Sequence, residues 1–200
     1  MPHRARPAHG AAYPVHVTLR ATHAVRCLRS ARVFPAIRRA LAVSSHEGFR
    51  IVHFSVQDDH VHLLVEGETR ERLSGGLRGL AIRMARTVNR VLGRRGAVWA
   101  DRYHARALST PREVRHSLVY VLTNRKKHDP GATGPDPCSS ARWLDGWRKR
   151  PVAWPELPSP VMRPRTWLAV VGWRRHGLVG VEERPRSVTS GRRGGGRSPH

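Results

Sequence analysis

Asp59-His60-Val61-His62-Leu63-Leu64-Val65 sets two imidazoles two residues apart inside a run that reads as a buried β-strand. Side chains at i and i+2 of a strand share a face, so His60 and His62 stand side by side as half of a metal site. Upstream, Phe49-Arg50-Ile51-Val52-His53-Phe54-Ser55-Val56 is rich in β-branched and aromatic residues. A polar Gln57-Asp58-Asp59 turn follows, and the second apolar run closes at Glu66-Gly67. Two strands joined by a short acidic turn predict a hairpin.

On the N-terminal side, Met1 to Pro14 is a polar, basic arm, and Val15-His16-Val17-Thr18-Leu19-Arg20-Ala21 alternates as a strand does. From Val33 to Ser45, the spacing of Val33, Ile37, Ala40 and Leu41 against Arg38 and Arg39 predicts an amphipathic helix. On the C-terminal side, apolar residues recur every three to four positions from Arg72 to Leu92, a long helix closed by Gly93 and Gly96. Val98 to Leu108 mixes aromatic, apolar and basic residues as an edge strand would. Thr110-Pro111-Arg112-Glu113 is a capping box with proline at the first helical position, so a third helix should run from Pro111 to about Lys127, before Asp129-Pro130.

The series is βαββαβ plus one helix. It predicts an α+β ferredoxin-like sandwich: an antiparallel sheet, two helices on one face, and an added C-terminal helix. The first and third strands are then central, which places His60 and His62 mid-sheet, with the other face open to carry a site.

Lys and Arg number 37 against 14 Asp and Glu, a formal net charge of +23 with pI ≈ 11.8. Such charge repels itself unless a polyanion shares the volume, and nucleic acid is the expected partner. A GC-rich coding bias accounts for arginine over lysine but not for so few acids. Cys27 and Cys138 belong to no ligand spacing and read as free thiols in a reducing cytoplasm. No stretch reaches the length of a membrane span, and Met1 to Gly10 lacks the apolar core of a signal peptide.

Past the third helix the character changes. Residues 15–128 read as the folded domain, 129–183 as a Pro- and Trp-containing extension, and 184–200 as an Arg/Gly tail disordered by composition. Within the extension, Arg165 to Trp173 predicts a short helix docked on the domain.

The predicted third helix carries Tyr120 and Asn124 one turn apart. Asn124 offers a hard oxygen that would join two imidazoles around Mg²⁺ or Mn²⁺, and Tyr120 offers a phenol beside that ion. The plain alternative is packing: Val114, Leu118 and Leu122 could bury Tyr120, and Asn124 could bond backbone. Asp59 either backs a histidine or is simply the turn residue. Arg102, Tyr103 and Arg106 either line a DNA path, with Tyr103 stacking on a base, or are a solvated edge strand. Arg125, Lys126 and Lys127, with His128, form a basic patch facing phosphate. His16, His53 and His104 read as packing or sheet-face polar residues, and Arg83, Arg86 and Arg90 as the wet face of a helix.

Asp59 to Val65 resembles the HUH motif, His-hydrophobe-His, of single-tyrosine transposases, and Tyr120-Val121-Leu122-Thr123-Asn124 resembles their catalytic-helix motif. Trp99-Ala100-Asp101-Arg102-Tyr103-His104 ahead of that helix is similar to the branch called REP-associated tyrosine transposases. The resemblance spans roughly Ala12 to His128. It implies metal-dependent nicking and strand transfer on single-stranded, often hairpin-forming, DNA through a 5′-phosphotyrosine. His60, His62 and Asn124 are then the metal ligands, Tyr120 the nucleophile, and a homodimer the usual assembly. Two other readings compete: a non-catalytic or domesticated ferredoxin-like nucleic-acid binder, and a replication-initiator or relaxase relative.

Overall fold

The computed structural model describes residues 12–129, 131–149 and 157–185. Most of the expected N-terminal arm, and the tail beyond Pro185, lie outside them.

Four strands form one antiparallel sheet: β1 (Val15–Arg20), β2 (Phe49–Val56), β3 (His60–Gly67) and β4 (His104–Ala107), in the order β2-β3-β1-β4. With helices α1 (Phe34–Ala42) and α2 (Arg70–Leu92) this is the expected ferredoxin-like sandwich, β1 and β3 central. Register explains why two faces with different tasks exist. Val15, Val17 and Leu19 pair with Val65, Leu63 and Val61, while the intervening His16, Thr18 and Arg20 pair with Leu64, His62 and His60. Directly opposed residues point the same way, so the first set is a continuous apolar surface and the second a histidine-rich one. A register shift between Ile51 and His53 keeps Phe54 and Val56 on the apolar surface and leaves Val52 and His53 turned to the other.

The apolar face is covered by α1 and α2 through Ile37, Leu41, Leu73, Leu77, Leu80, Met84 and Val88, all buried. Thr69 caps α2 by accepting from the Arg72 amide, and Gly93 at φ 65° ends it in the left-handed region. Gly76 allows α2 to approach the sheet, since a Cβ there would collide with the Phe49 ring.

The second face differs from the open surface expected. Helix α3 (Pro111–Leu122) lies across it with Val114, Leu118, Val121 and Leu122 on Leu64 and Val52. The region read as an appendage completes that layer. Ala141, Leu168 and Trp173, on two 3₁₀ turns (Ala141–Trp143 and Gly172–His176) and a short helix, α5 (Trp167–Val170), are buried in this second core with Leu144, Trp147 and Val179 from the connecting segments. Polar clamps fix it. Glu66, 5% exposed, accepts from the Arg165 and Thr166 amides and from Thr166 Oγ1, and Arg115 donates to Gly177 O, Leu178 O and both oxygens of Glu183. Buried charges need such compensation: Arg115 is ion-paired with Glu183, and the Glu66 carboxylate is satisfied by hydrogen bonds alone.

Helix α3 also stops earlier than predicted. Thr123 takes φ −118° and ψ 16°, its hydroxyl donates to Val119 O, and a four-residue helix α4 (Arg125–His128) follows. Tyr120 and Asn124 therefore flank a break rather than sharing one continuous helix. The edge strand is shorter too, His104–Ala107, with Trp99 bridged to Ala21 ahead of it. No helix among the described residues is long and apolar enough to cross a membrane.

Candidate active site

Four aromatic rings meet where α3 crosses the histidine face of β1 and β3. His60 and His62 have centroids 4.6 Å apart, His62 and Tyr120 4.9 Å, His16 and His62 5.3 Å, and His16 and Tyr120 5.6 Å. His128, from α4, closes on His60 at 5.9 Å. Tyr120 is half-buried, facing imidazoles rather than the apolar residues of its own helix.

Each histidine of the pair is oriented through its Nδ1. Asp59 Oδ1 accepts from His60 Nδ1 at 2.6 Å, and Thr18 Oγ1 is hydrogen-bonded to His62 Nδ1 at 3.1 Å. The Nε2 atoms are left to face the site. His62 Nε2 is buried with no hydrogen-bond partner among the described residues, as are His16 Nε2 and both side-chain polar atoms of Asn124. Buried polar atoms seldom stay unpartnered, and a coordinating or substrate atom is one resolution. Two imidazole nitrogens and one amide oxygen suit a divalent ion of the Mg²⁺ or Mn²⁺ kind. No group of three or more His, Cys, Asp or Glu that could hold a metal ion forms among the described residues, so such a site rests on the histidine pair and the oxygen of Asn124. Asn124 is fully buried and makes no hydrogen bond to either histidine.

Burial governs the electrostatics. Together with neighbouring positive groups it brings His62 down to about 2 and His16 to about 4, so each is a neutral ring at physiological pH. His60 is also lowered by burial, against the opposing effect of the hydrogen bond it donates to Asp59. Burial by itself would raise the Asp59 carboxyl, yet the His60 hydrogen bond and the charges of His60 and Arg20 hold it below its ordinary range.

The basic residues divide. Lys127 is exposed, with Nζ 5.6 Å from the Tyr120 ring centre. Arg102 and Arg106 are exposed near the β4 edge, Arg106 pairing with Glu113 at 3.2 Å, and Tyr103 is half-buried beside the first core. Arg125 pairs with Asp129 at 3.3 Å. Lys126 is turned inward: it is 3% exposed and its Nζ donates to Val181 O and Glu182 Oε2, so its charge is committed to the C-terminal segment and not open to phosphate.

Two histidines join the cluster that sequence reading did not place there: His16, read as packing or a sheet-face polar residue, and His128, read as part of the basic patch. For His16 the signal was present, since strict alternation in β1 puts it opposite Val15 and Val17. Only the β1–β3 register reveals that this polar face is the one carrying His62.

The solved structures resembling this chain include a REP-associated tyrosine transposase bound to a REP hairpin, at TM-score 0.53 and 18% identity, covering 64% of this chain and 75% of that one. At that identity the likeness is one of fold. A candidate transposase from Deinococcus radiodurans R1 also matches, at TM-score 0.41 and 17% identity over 54% of this chain and 87% of its own. No curated protein matches at a significant level. The profile described as "Transposase IS200 like" matches residues 13–122 of the 200, from the start of β1 to the end of α3, and with it all four strands and Tyr120. By that match over more than half its length, the chain belongs to the IS200-like transposase family.

Proposed function

We propose that the chain cleaves and rejoins single-stranded DNA through a covalent bond between Tyr120 and a backbone phosphate, assisted by Mg²⁺ or Mn²⁺ on His60, His62 and Asn124. The observation that carries this reading is the contact of the Tyr120 ring with His62, 4.9 Å between centroids, with His60 a further 4.6 Å on. All three belong to one chain, which supports cleavage in cis without a second copy to bring the phenol to the histidines. When bound, the ion supplies positive charge that polarises the phosphate oxygens. His60 and His62 contribute neutral nitrogens, because burial keeps them unprotonated and Asp59 and Thr18 fix their rings.

In the forward step the Tyr120 oxygen bonds to phosphorus as the P–O3′ bond breaks. The phenol gives up its proton, the leaving oxygen gains one, and the products are a 5′-phosphotyrosine and a free 3′-OH. Attack by a 3′-OH on that phosphorus reverses the exchange and frees the phenol. One phosphoester bond replaces another, so no nucleotide cofactor is needed. Arg102, Tyr103, Arg106, Arg125 and Lys127 are offered to the DNA, and the fold shared with a hairpin-bound transposase supports a hairpin-forming strand as substrate.

The test is cleavage of hairpin-bearing single strands with Mg²⁺ or Mn²⁺, beside the His60→Ala, His62→Ala double variant. Metal-dependent cleavage lost in the variant, with binding kept, supports the reading, and cleavage undiminished in chelator or in the variant overturns it. The second reading, a binding protein without cleavage, draws on the break between Tyr120 and Asn124. It predicts salt-sensitive hairpin binding with no product under any metal.

A further inference from the structure

A cavity of about 710 Å³ lies under the C-terminal extension, between β2 and helix α5. Val52, Leu64 and Leu118 make part of its lining apolar and aliphatic, and Trp143 and Trp173 make part of it aromatic. Each indole already has its one polar atom engaged. Trp173 Nε1 donates to Ala169 O at 3.0 Å and Trp143 Nε1 to Leu157 O at 3.4 Å, so both rings offer the cavity carbon surface. A space of this size within the second core is in the range of pockets that take small organic ligands, whereas closely packed cores leave few voids larger than a water molecule.

Polar groups in the lining are few. His53 is 7% exposed, and because its Nδ1 is tied to Ser140 Oγ at 3.0 Å, Nε2 is the ring atom left for a ligand. Burial keeps that imidazole neutral at physiological pH. Two exposed cations, Arg163 and Arg174, stand against one acid, Asp145. Arg174 is committed: Nη2 donates to Asp145 O and Oδ2, and its guanidinium lies 5.0 Å from the Trp173 ring centre. Arg163 forms no ion pair among the described residues, so its charge is the one left for a ligand.

These groups select one ligand chemistry. A flat aromatic ring suits indole and aliphatic walls. A carboxylate suits Arg163, whose planar fork matches two carboxylate oxygens. A hydroxyl suits His53 Nε2 in either tautomer, since it both donates and accepts. We infer that this cavity binds a small hydroxylated aromatic carboxylate, its carboxylate on Arg163 and its hydroxyl on His53. Neither DNA, metal nor Tyr120 takes part, so the site stands or falls separately from cleavage.

The experiment is calorimetric titration of the full chain, free of DNA and metal, with 4-hydroxyphenylacetate, phenylacetate and 4-hydroxyphenylacetamide, repeated with Arg163→Ala, Arg175→Ala and His53→Leu. Arg163 and Arg175 are exposed, Arg175 lies over Trp167 and outside the cavity lining, and circular dichroism melting checks that each variant is folded. The expected result is saturable binding of 4-hydroxyphenylacetate at one site per chain. Phenylacetate should bind about fivefold more weakly, the loss of one neutral hydrogen bond, and His53→Leu should abolish that preference. The amide, and the acid on Arg163→Ala, should also be about fivefold weaker, the loss of one part-exposed ion pair, with Arg175→Ala unchanged. Absence of saturable binding, equal affinity for all three compounds, equal losses in the two arginine variants, or a hydroxyl preference kept in His53→Leu overturns the inference.

Discussion

The Tyr120 ring meets the His62 imidazole edge-on, at 76° with 4.9 Å between centroids. Helix α3 delivers the phenol, β3 delivers the imidazole, and the second core beneath α3 fixes the distance between them. Histidine geometry at such a site depends in turn on what holds the other ring nitrogen.

Asp59 supplies that hold for His60. Replacing it by Ala frees the ring to rotate and removes a carboxylate that favours the Nδ1–H tautomer. Losses of such partners commonly lower metal affinity by about 10- to 100-fold. Titration of Mn²⁺ against cleavage rate should show the half-maximal concentration rising by that order with the maximal rate partly recovered. An unchanged half-maximal concentration would make Asp59 a turn residue only.

Lys126 and Lys127 are neighbours with opposite fates. Lys126→Met removes the bonds to Val181 and Glu182 while keeping the buried stem, and it should cost about 1–3 kcal/mol in denaturant unfolding with DNA affinity almost unchanged. Lys127→Met should leave stability within about 0.5 kcal/mol and weaken DNA binding, with a shallower salt dependence.

His53 gives a pH dependence that can be read away from the candidate metal site. Burial lowers it to about 4, and its Nδ1 meets Ser140 Oγ at 3.0 Å. Between about pH 6.5 and 4 the unfolded chain therefore binds a proton that the folded chain does not, so stability is lost as pH falls through that window. From pH 7 to 5 this group should account for about 2 kcal/mol of lost stability. Urea midpoints for His53→Leu should show a flatter acid slope than the parent, and identical slopes would refute the assignment.

His16 carries a buried nitrogen without a partner among the described residues. His16→Phe substitutes an aromatic ring without nitrogens, so it should hold or raise stability by about 1 kcal/mol, since an unsatisfied buried polar atom costs about 1–3 kcal/mol. If that nitrogen addresses the substrate, cleavage should fall in the same variant. A variant that is stabilised and fully active would make His16 packing alone.

The elements that positioned the histidine pair were legible because their signals are local. The hairpin followed from β-branched runs on either side of Gln57-Asp58-Asp59, and the start of α3 from the capping box at Thr110 and Glu113. The end of α3 was not, because Thr123 carries no helix-stopping signal and the first proline stands at position 130. Asn124 consequently sits beyond a break that periodicity alone could not show. The second core was illegible for a different reason. Leu144, Trp147, Trp173 and Val179 have no common period, and they are gathered by side-chain clamps such as Arg115 with Glu183 that link positions far apart in the chain.

Whether Tyr120 is the nucleophile is decided by incubating the chain with a hairpin-bearing single strand and Mn²⁺, then mapping any SDS-stable protein–DNA adduct by peptide mass. The expected result is an adduct on the peptide containing Tyr120, absent in Tyr120→Phe although that variant still binds the DNA. An adduct that persists in Tyr120→Phe, or that maps to another residue, would contradict it.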